Sequence, residues 1–154
     1  MSNKQYLTIN GKKAEIRGDE DNLLELIRNN NINIPTFCYH SELSTYGACR
    51  MCVVDIDGVG ITTSCSTKPE PGMKVKTHTQ DVREIRKIAL ELLLANHDKS
   101  CPTCEKSDDC KLRSLAAQLG IEESRFEEEE KDEELDRSSH SLVRDPNKCV
   151  LCGD

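Results

Sequence analysis

The chain has 154 residues, of which 36% are apolar, and its formal charge at pH 7 is −7. It contains no Trp and only three Tyr and two Phe, so we expect something besides apolar burial to help stabilise it. The N-terminus has no apolar h-region, no apolar run is long enough to span a membrane, and no basic patch suits nucleic acid, which together favour a protein of the cytoplasm.

Residues 1–79 are expected to form a small α+β domain. In QYLTINGKKAEIR, the pair Asn10-Gly11 favours a type I′ turn between two short alternating runs, which predicts a β-hairpin. Asp21 or Asn22 then caps a short helix. After a long loop, MCVVDI and GITTSC predict a second hairpin, and MKVKT predicts a last strand. This order is typical of an α+β domain with a single helix over a small sheet.

Four cysteines of this domain follow the pattern C-x10-C-x2-C-x12-C. They are Cys38, Cys49, Cys52 and Cys65. Clustered cysteines in a chain without signs of secretion are more often metal ligands than disulfide partners. Four thiolates in this layout fit two irons, which predicts a [2Fe–2S] cluster. A structural zinc site is the alternative, since C-x2-C pairs also bind zinc.

The loop YGACRMC carries the middle pair of cysteines. Gly47 and Ala48 are small, so the backbone amides there can approach inorganic sulfide closely. We therefore predict that Gly47, Ala48 and Arg50 contact the cofactor. Cys65 is expected at the end of the second hairpin, which returns it towards Cys52.

The segment IPTFCYHSELSTYGACRMCVV resembles the N-terminal ferredoxin-like domain shared by three kinds of subunit. These are the large peripheral subunit of NADH:quinone oxidoreductase (complex I), NAD(P)-linked [FeFe]-hydrogenases and NAD-linked formate dehydrogenases. The segment is less similar to plant-type ferredoxin, whose first spacing is C-x4-C. The resemblance extends over about residues 5–153 and implies a β-grasp fold for residues 1–79.

Residues 80–120 predict a small helical domain in which two helices bracket a cysteine-rich loop. The first helix should bury an apolar stripe made of Val82, Ile85, Ile88, Ala89, Leu92 and Leu93. Gly120 is expected to end the second helix. On residue type alone, His97 at a helix end is most often a C-cap or a surface residue. The resemblance instead implies a [4Fe–4S] cluster held by H-x3-C-x2-C-x5-C, which here is His97, Cys101, Cys104 and Cys110.

An acidic segment, residues 121–144, follows. Between residues 122 and 136 it has ten acidic and two basic side chains, and the rest of the chain sums to +1. We expect a solvated linker, and a docking strip for a basic partner is the alternative. Residues 145–154 resemble the opening of a bacterial-type ferredoxin module. Cys149 and Cys152 would be part of an incomplete [4Fe–4S] site. The favoured interpretation is a fragment or a short homologue of a longer subunit; alternatively, a partner supplies the missing ligands, or the pair has redox-active dithiol chemistry or binds to an adjacent metal site.

No catalytic residue is predicted, since no nucleophile–base pair, phosphate loop or flavin motif is present. The resemblance implies an iron–sulfur electron-transfer module that passes single electrons between a flavin-containing, NAD(P)H-oxidising subunit and a terminal site. A soluble NAD(P)-linked hydrogenase-type complex is the favoured setting. Formate dehydrogenase, an electron-bifurcating transhydrogenase or complex I are alternatives. A free-standing ferredoxin-like carrier and a zinc-stapled interaction module also remain open.

Overall fold

The computed structural model describes residues 4–126 and 133–150 of the chain. Its contacts divide into two compact units, an N-terminal unit that ends at Arg86 and a second unit that begins at Lys87. Across the described ranges, no helix is long and apolar enough to cross a bilayer.

The N-terminal unit contains one five-stranded mixed sheet. Its strands are β1 (Gln5–Ile9), β2 (Lys12–Ile16), β3 (Val53–Ile56), β4 (Gly60–Thr63) and β5 (Lys74–Lys76). Their spatial order is β2-β1-β5-β3-β4. The pairs β1–β2, β3–β4 and β3–β5 are antiparallel, whereas β1 and β5 are parallel. The short strand β5 therefore lies between the two predicted hairpins and joins them.

The first hairpin turns where the sequence predicts. Asn10 and Gly11 have φ angles of 49° and 82°, the positive values that a type I′ turn requires at both central positions. The Asn10 side chain also reaches the end of β5. Its Nδ2 donates to Thr77 Oγ1 over 2.8 Å, and its Oδ1 accepts from the Thr77 amide over 2.9 Å.

Helix α1 (Leu23–Asn29) supplies much of the core of this unit. Asn22 is its N-cap and accepts from the Glu25 amide over 3.1 Å, while a Glu25 carboxylate oxygen accepts from the Asp21 amide over 3.0 Å. These bonds satisfy the Glu25 amide, which the first turn leaves unbonded, and the amide of Asp21, which precedes the N-cap. Four side chains of α1 are fully buried in the cluster with the sheet: Leu23, Leu24, Leu26 and Ile27. Each contributes about 1.5–3 kcal/mol relative to an exposed side chain. The predicted α+β class and β-grasp arrangement are confirmed.

Helix α2 (Gln80–Ala95) begins in the N-terminal unit and continues into the second. Thr79 caps it, because its Oγ1 accepts from the Val82 amide over 3.3 Å. The predicted apolar stripe is only partly correct, since Leu92 is 48% exposed. The buried residues of α2 are Val82, Arg86, Leu90, Glu91 and Ala95. The buried face of α2 differs from the predicted stripe because it includes Arg86 and Glu91, which form hydrogen bonds with other residues of the protein. Residue hydrophobicity alone does not predict the burial of these two charged side chains.

The second unit contains the later part of α2 and helix α3 (Lys111–Gln118). Gly120 follows α3 with a φ of 63° and its amide donates to Ala117 O, as a C-terminal glycine should. The segment predicted as a linker starts with packed residues. Ile121 is 8% exposed, and Arg125 forms an ion pair with the buried Glu91.

Further along the second unit, the described residues 133–150 are held by local hydrogen bonds. Asp136 and Arg144 form an isolated antiparallel bridge. Asn147 exchanges hydrogen bonds with the Glu133 backbone at 2.9 and 3.2 Å, and its carbonyl accepts from the Asp98 amide over 3.0 Å. The stretch around Asn147 is thus attached to the start of the cysteine-rich loop.

Candidate metal centres

The four cysteines of the N-terminal unit lie together in its interior as two thiol pairs. Cys38, Cys49, Cys52 and Cys65 are each no more than 6% exposed, and none is in a disulfide. The Sγ atoms of Cys38 and Cys49 are 3.2 Å apart, and the thiols of Cys52 and Cys65 are hydrogen-bonded to each other. Cys65 also interacts electrostatically with Cys38 and Cys49.

Each thiol pair is placed by a different part of the fold. Cys38 and Cys49 are brought together by the long loop after α1, and Cys52 immediately precedes β3. Cys65 lies in a 3-10 turn, Ser64–Ser66, just past the end of β4 rather than within the strand. The Ser64 amide and hydroxyl both donate to the Cys52 carbonyl, over 3.1 and 2.7 Å. These bonds hold the turn against the start of β3.

Backbone amides point at the sulfur atoms of the first pair. The Phe37 amide donates to Cys49 Sγ over 3.5 Å, and the Cys49 amide donates to Cys38 Sγ over 3.4 Å. The Ala48 amide also interacts with Cys38. Such donors stabilise negative charge on sulfur, as a thiolate-bound cluster requires.

The predicted contact loop has an unusual backbone. Gly47 and Arg50 have φ angles of 71° and 55°, and Arg50 is an exposed residue that adopts this conformation without being glycine. These two positive φ angles flank Cys49, whose amide donates to Cys38 Sγ. The Ala48 side chain is exposed, and it is the backbone amide of this residue that interacts with Cys38.

Burial and mutual hydrogen bonding set the protonation of these thiols. Burial raises the pKa of Cys38. The hydrogen bond from Cys65 is the main cause that lowers the pKa of Cys52 to about 6, and the same bond, with burial, raises the pKa of Cys65. Cys38 and Cys65 therefore bind their protons more tightly than an ordinary thiol, and metal binding must displace those protons.

One buried residue near this site was not identified from the sequence. Arg86 is 9% exposed, and its Nη2 donates to the carbonyl of Val53, the residue after Cys52, over 2.7 Å. Its charge interacts favourably with a Cys52 thiolate. Its spacing along the helix could have predicted its burial, because Arg86 is one helical turn from the buried Val82 and one from the buried Leu90.

The second candidate centre follows the end of α2. His97 Nδ1 is buried and, within the part of the chain that the structure describes, has no hydrogen-bond partner. Burial is the main cause that lowers the His97 pKa, so the imidazole is neutral at pH 7, the form that binds metals. His97, Cys101 and Cys110 line one cavity of about 520 Å³.

The three cysteines of this loop are half-exposed and lie on successive short turns. Cys101 begins the 3-10 turn Cys101–Thr103, and the Cys104 amide donates back to the Cys101 carbonyl over 3.2 Å. Cys104 does not line the cavity with the other candidate ligands. Cys110 is the N-cap of α3, and its Sγ accepts from the Arg113 amide over 3.5 Å.

The third cysteine pair is only half described. Cys149 is half-exposed, and Arg144 Nη2 lies 3.6 Å from its Sγ, close enough to stabilise a thiolate. Cys152 lies outside the described residues. The prediction of an incomplete site at this pair stays a prediction.

The side chains present fit iron–sulfur clusters. Among residues 4–126 and 133–150, no three His, Cys, Asp or Glu side chains converge on a single metal-ion position. The first site instead presents two thiol pairs with amide donors, and a [2Fe–2S] cluster uses four thiolates on two irons. The second presents a buried imidazole nitrogen, without a hydrogen-bond partner among the described residues, beside a cavity bordered by thiols.

Two family profiles match this chain. Residues 4–80 match the 2Fe-2S iron-sulfur cluster binding domain, and residues 86–125 match the NADH-ubiquinone oxidoreductase-G iron-sulfur binding region. These matches confirm the predicted cofactors, one [2Fe–2S] and one [4Fe–4S] cluster.

Similar proteins are subunits of redox complexes. Over 152 residues the chain is 36% identical to NADP-reducing hydrogenase subunit HndD of Solidesulfovibrio fructosivorans, covering 95% of this chain and 26% of that protein. Over 149 residues it is 34% identical to the mitochondrial NADH-ubiquinone oxidoreductase 78 kDa subunit of Neurospora crassa, covering 95% of this chain and 20% of that protein. The chain thus spans about a quarter or less of these curated relatives.

A solved structure shows the same fold. A chain in the crystal structure of NAD+-reducing [NiFe]-hydrogenase in the H2-reduced state superposes with a TM-score of 0.88 at 34% identity, covering 97% of this chain and 63% of that one. Because the first profile also covers half of the sequence, the chain belongs to the family of 2Fe-2S iron-sulfur cluster binding domains, followed here by an NADH-ubiquinone oxidoreductase-G iron-sulfur binding region.

Proposed function

We propose that this chain is an electron-relay module of a cytoplasmic NAD(P)-linked hydrogenase-type complex. It passes single electrons between a flavin-containing, NAD(P)H-oxidising subunit and a terminal site on another part of the complex. The observation that carries the proposal is the set of two buried thiol pairs in the N-terminal unit, surrounded by amide donors. A hydrogenase setting is supported by the similarity to HndD and to the [NiFe]-hydrogenase chain.

In this proposal the thiol pairs assign ligands to the two irons of the [2Fe–2S] cluster. Cys38 and Cys49, already in sulfur–sulfur contact, bind one iron, and the hydrogen-bonded Cys52 and Cys65 bind the other. The buried position of all four excludes water from the centre. The amides of Phe37 and Cys49 and the loop at Gly47, Ala48 and Arg50 offset its negative charge.

His97, Cys101, Cys104 and Cys110 are the proposed ligands of the [4Fe–4S] cluster. A neutral imidazole in place of a thiolate removes one negative charge from the ligand set, which raises the reduction potential. Burial keeps His97 in that neutral form. Both clusters supply reversible one-electron chemistry when bound, and the chain's own residues hold them, exclude solvent and set their potentials.

The equivalent module of complex I is a second candidate, favoured by the similarity to the 78 kDa subunit of NADH-ubiquinone oxidoreductase and by the second family profile. The same chemistry would serve formate dehydrogenase or an electron-bifurcating transhydrogenase. In a zinc-stapled interaction module, by contrast, each cysteine group would hold one zinc ion in tetrahedral geometry.

Metal analysis separates these functions. We would purify the chain anaerobically, measure iron, sulfide and zinc, and record EPR spectra after reduction with dithionite. About six irons per chain with matching sulfide, and two distinct EPR species, are expected for one two-iron and one four-iron cluster. Zinc without iron would overturn the relay proposal and favour the interaction module.

Reciprocal cysteine variants test the two ligand sets against each other. Cys49→Ala should remove the [2Fe–2S] signal and leave the [4Fe–4S] signal, and Cys101→Ala should do the opposite. Each variant is the control for the other, since both remove one thiol from the same chain. If either substitution leaves its signal intact, or removes both signals equally, the proposed assignment is wrong.

A further inference from the structure

Arg86 is a buried cation for which the described part of the protein provides no carboxylate counter-ion. Its side chain is 9% exposed, and its Nη2 donates a hydrogen bond to the Val53 carbonyl. Its Nε is buried and has no hydrogen-bond partner among the described residues, where no carboxylate forms an ion pair with it either. An uncompensated buried charge costs several kcal/mol, so such a residue needs a negative neighbour.

The negative neighbour that the fold offers is the first cysteine cluster. Val53, whose carbonyl receives the Arg86 hydrogen bond, directly follows Cys52, and the charge of Arg86 interacts favourably with the Cys52 thiolate. The desolvated position of Arg86 makes this interaction stronger than one across solvent. A centre with four thiolates would thus supply the charge compensation that the carboxylates do not.

We propose that Arg86 sets the reduction potential of the [2Fe–2S] centre, its buried guanidinium raising that potential through its position beside Cys52. The inference rests on the proposed ligand set of Cys38, Cys49, Cys52 and Cys65. Reduction adds one electron from the reductant and no proton, so the negative charge at the site rises by one unit. A fixed cation stabilises the more negative state more strongly, which shifts the equilibrium towards reduction.

Arg83 provides a matched control on the same helix. It lies one turn before Arg86, is exposed, and donates from Nη1 to the His78 carbonyl over 3.1 Å. Its charge is screened by water and salt. Arg83→Gln therefore removes an equal charge from the same element without removing it from the interior.

The experiment is a redox titration, followed by EPR, of the full chain carrying both clusters. At a fixed applied potential, Arg86→Gln should lower the ratio of reduced to oxidised [2Fe–2S] by at least about tenfold, which corresponds to about 59 mV for one electron. Arg83→Gln should change this ratio less than about threefold, and the [4Fe–4S] midpoint should stay fixed in both. Arg86→Lys, which retains the charge, should remain closer to the wild type than Arg86→Gln.

Two neutral substitutions guard against loss of folding. Arg86→Gln retains a donor for the Val53 carbonyl, and Arg86→Met replaces the charge with apolar volume, a change that buried positions often tolerate. Either one that assembles the cluster is sufficient. An unchanged [2Fe–2S] potential, or equal shifts in Arg86→Lys and Arg86→Gln, would overturn the inference. So would failure of both neutral variants to fold while Arg86→Lys folds, because the charge would then be structural.

The same titration keeps the role of Arg86 separate from the proposed function. If the wild-type chain shows no [2Fe–2S] signal, the ligand assignment fails before Arg86 is tested. If the signal is present in wild type and variant at the same potential, the cluster assignment stands and only the role of Arg86 is rejected.

Discussion

Removal of Arg125 from its ion pair with Glu91 should strongly destabilise the second unit. Glu91 is 1% exposed, and its Oε2 accepts from Arg125 Nε over 2.9 Å and from Nη2 over 2.7 Å. Arg125→Met would leave a buried carboxylate without these two donors. A hydrogen bond to a charged group contributes roughly 1.5–3 kcal/mol. Because the Arg125 side chain is 58% exposed, solvent screens the pair, and we use the low end of this range for each of the two bonds. We therefore expect Arg125→Met to lower the free energy of unfolding by about 2–4 kcal/mol.

The double variant distinguishes an unpaired charge from lost packing. If the cost of Arg125→Met comes from the stranded carboxylate, replacing Glu91 with Met as well should restore most of the stability. Removing both partners of a buried pair is often close to neutral. We expect the double variant to lie within about 1.5 kcal/mol of the wild type.

Urea denaturation of the cluster-loaded protein, followed by far-UV circular dichroism, measures both effects. With a slope of about 2 kcal/mol per molar urea, Arg125→Met should lower the midpoint by about 1–2 M. Arg137→Met, at an exposed arginine of the same unit, is the control and should shift the midpoint very little. A midpoint for Arg125→Met equal to that of the control, or a double variant as unstable as the single one, would refute the reasoning.

Three further outcomes are expected. His97→Cys should retain a [4Fe–4S] cluster and lower its midpoint in an EPR redox titration, because a thiolate adds negative charge; an unchanged midpoint means that His97 is not a ligand. Leu24→Ala, at a fully buried site in α1, should cost about 2–5 kcal/mol in urea denaturation, and a loss below about 1 kcal/mol contradicts the assigned core. Asn10→Ala should lower the free energy of unfolding by about 2–3 kcal/mol, because it removes two hydrogen bonds and places alanine at a positive φ. Asn10→Gly should cost about 1 kcal/mol less, since glycine adopts this φ without strain, and equal losses for the two variants would exclude backbone strain.

Local signals in the sequence predicted the local structure well. Asn10-Gly11 forms the expected turn, and Asn22 caps α1, because turn and cap preferences depend on residues within a few positions of one another. The parallel pairing of β1 with β5 was not predicted. It joins Thr8 to Lys74, and no local preference encodes a contact over that separation.

At the candidate sites too, the sequence predicted local features and did not predict long-range contacts. Cysteine spacing selected the residues that meet in the N-terminal unit, but it did not show that Cys38 pairs with Cys49 and Cys52 with Cys65, since the pairing depends on how the loop and the second hairpin fold. Arg86 was missed for a related reason. A charged residue on a helix is ordinarily assigned to the solvent face, and its hydrogen bond to the Val53 carbonyl is a tertiary contact that the sequence does not show.

The central position of β5 has a consequence for how the protein is made. All four candidate thiols of the N-terminal unit precede Lys74–Lys76 in the chain, yet the two hairpins of the sheet are joined through that strand. During synthesis both hairpins leave the ribosome before the strand that unites them, and closing the sheet costs the entropy of a long loop. Iron delivered earlier would meet thiols on an unfinished scaffold. We therefore expect productive cofactor insertion after the emergence of β5, when the nascent chain can first complete the sheet.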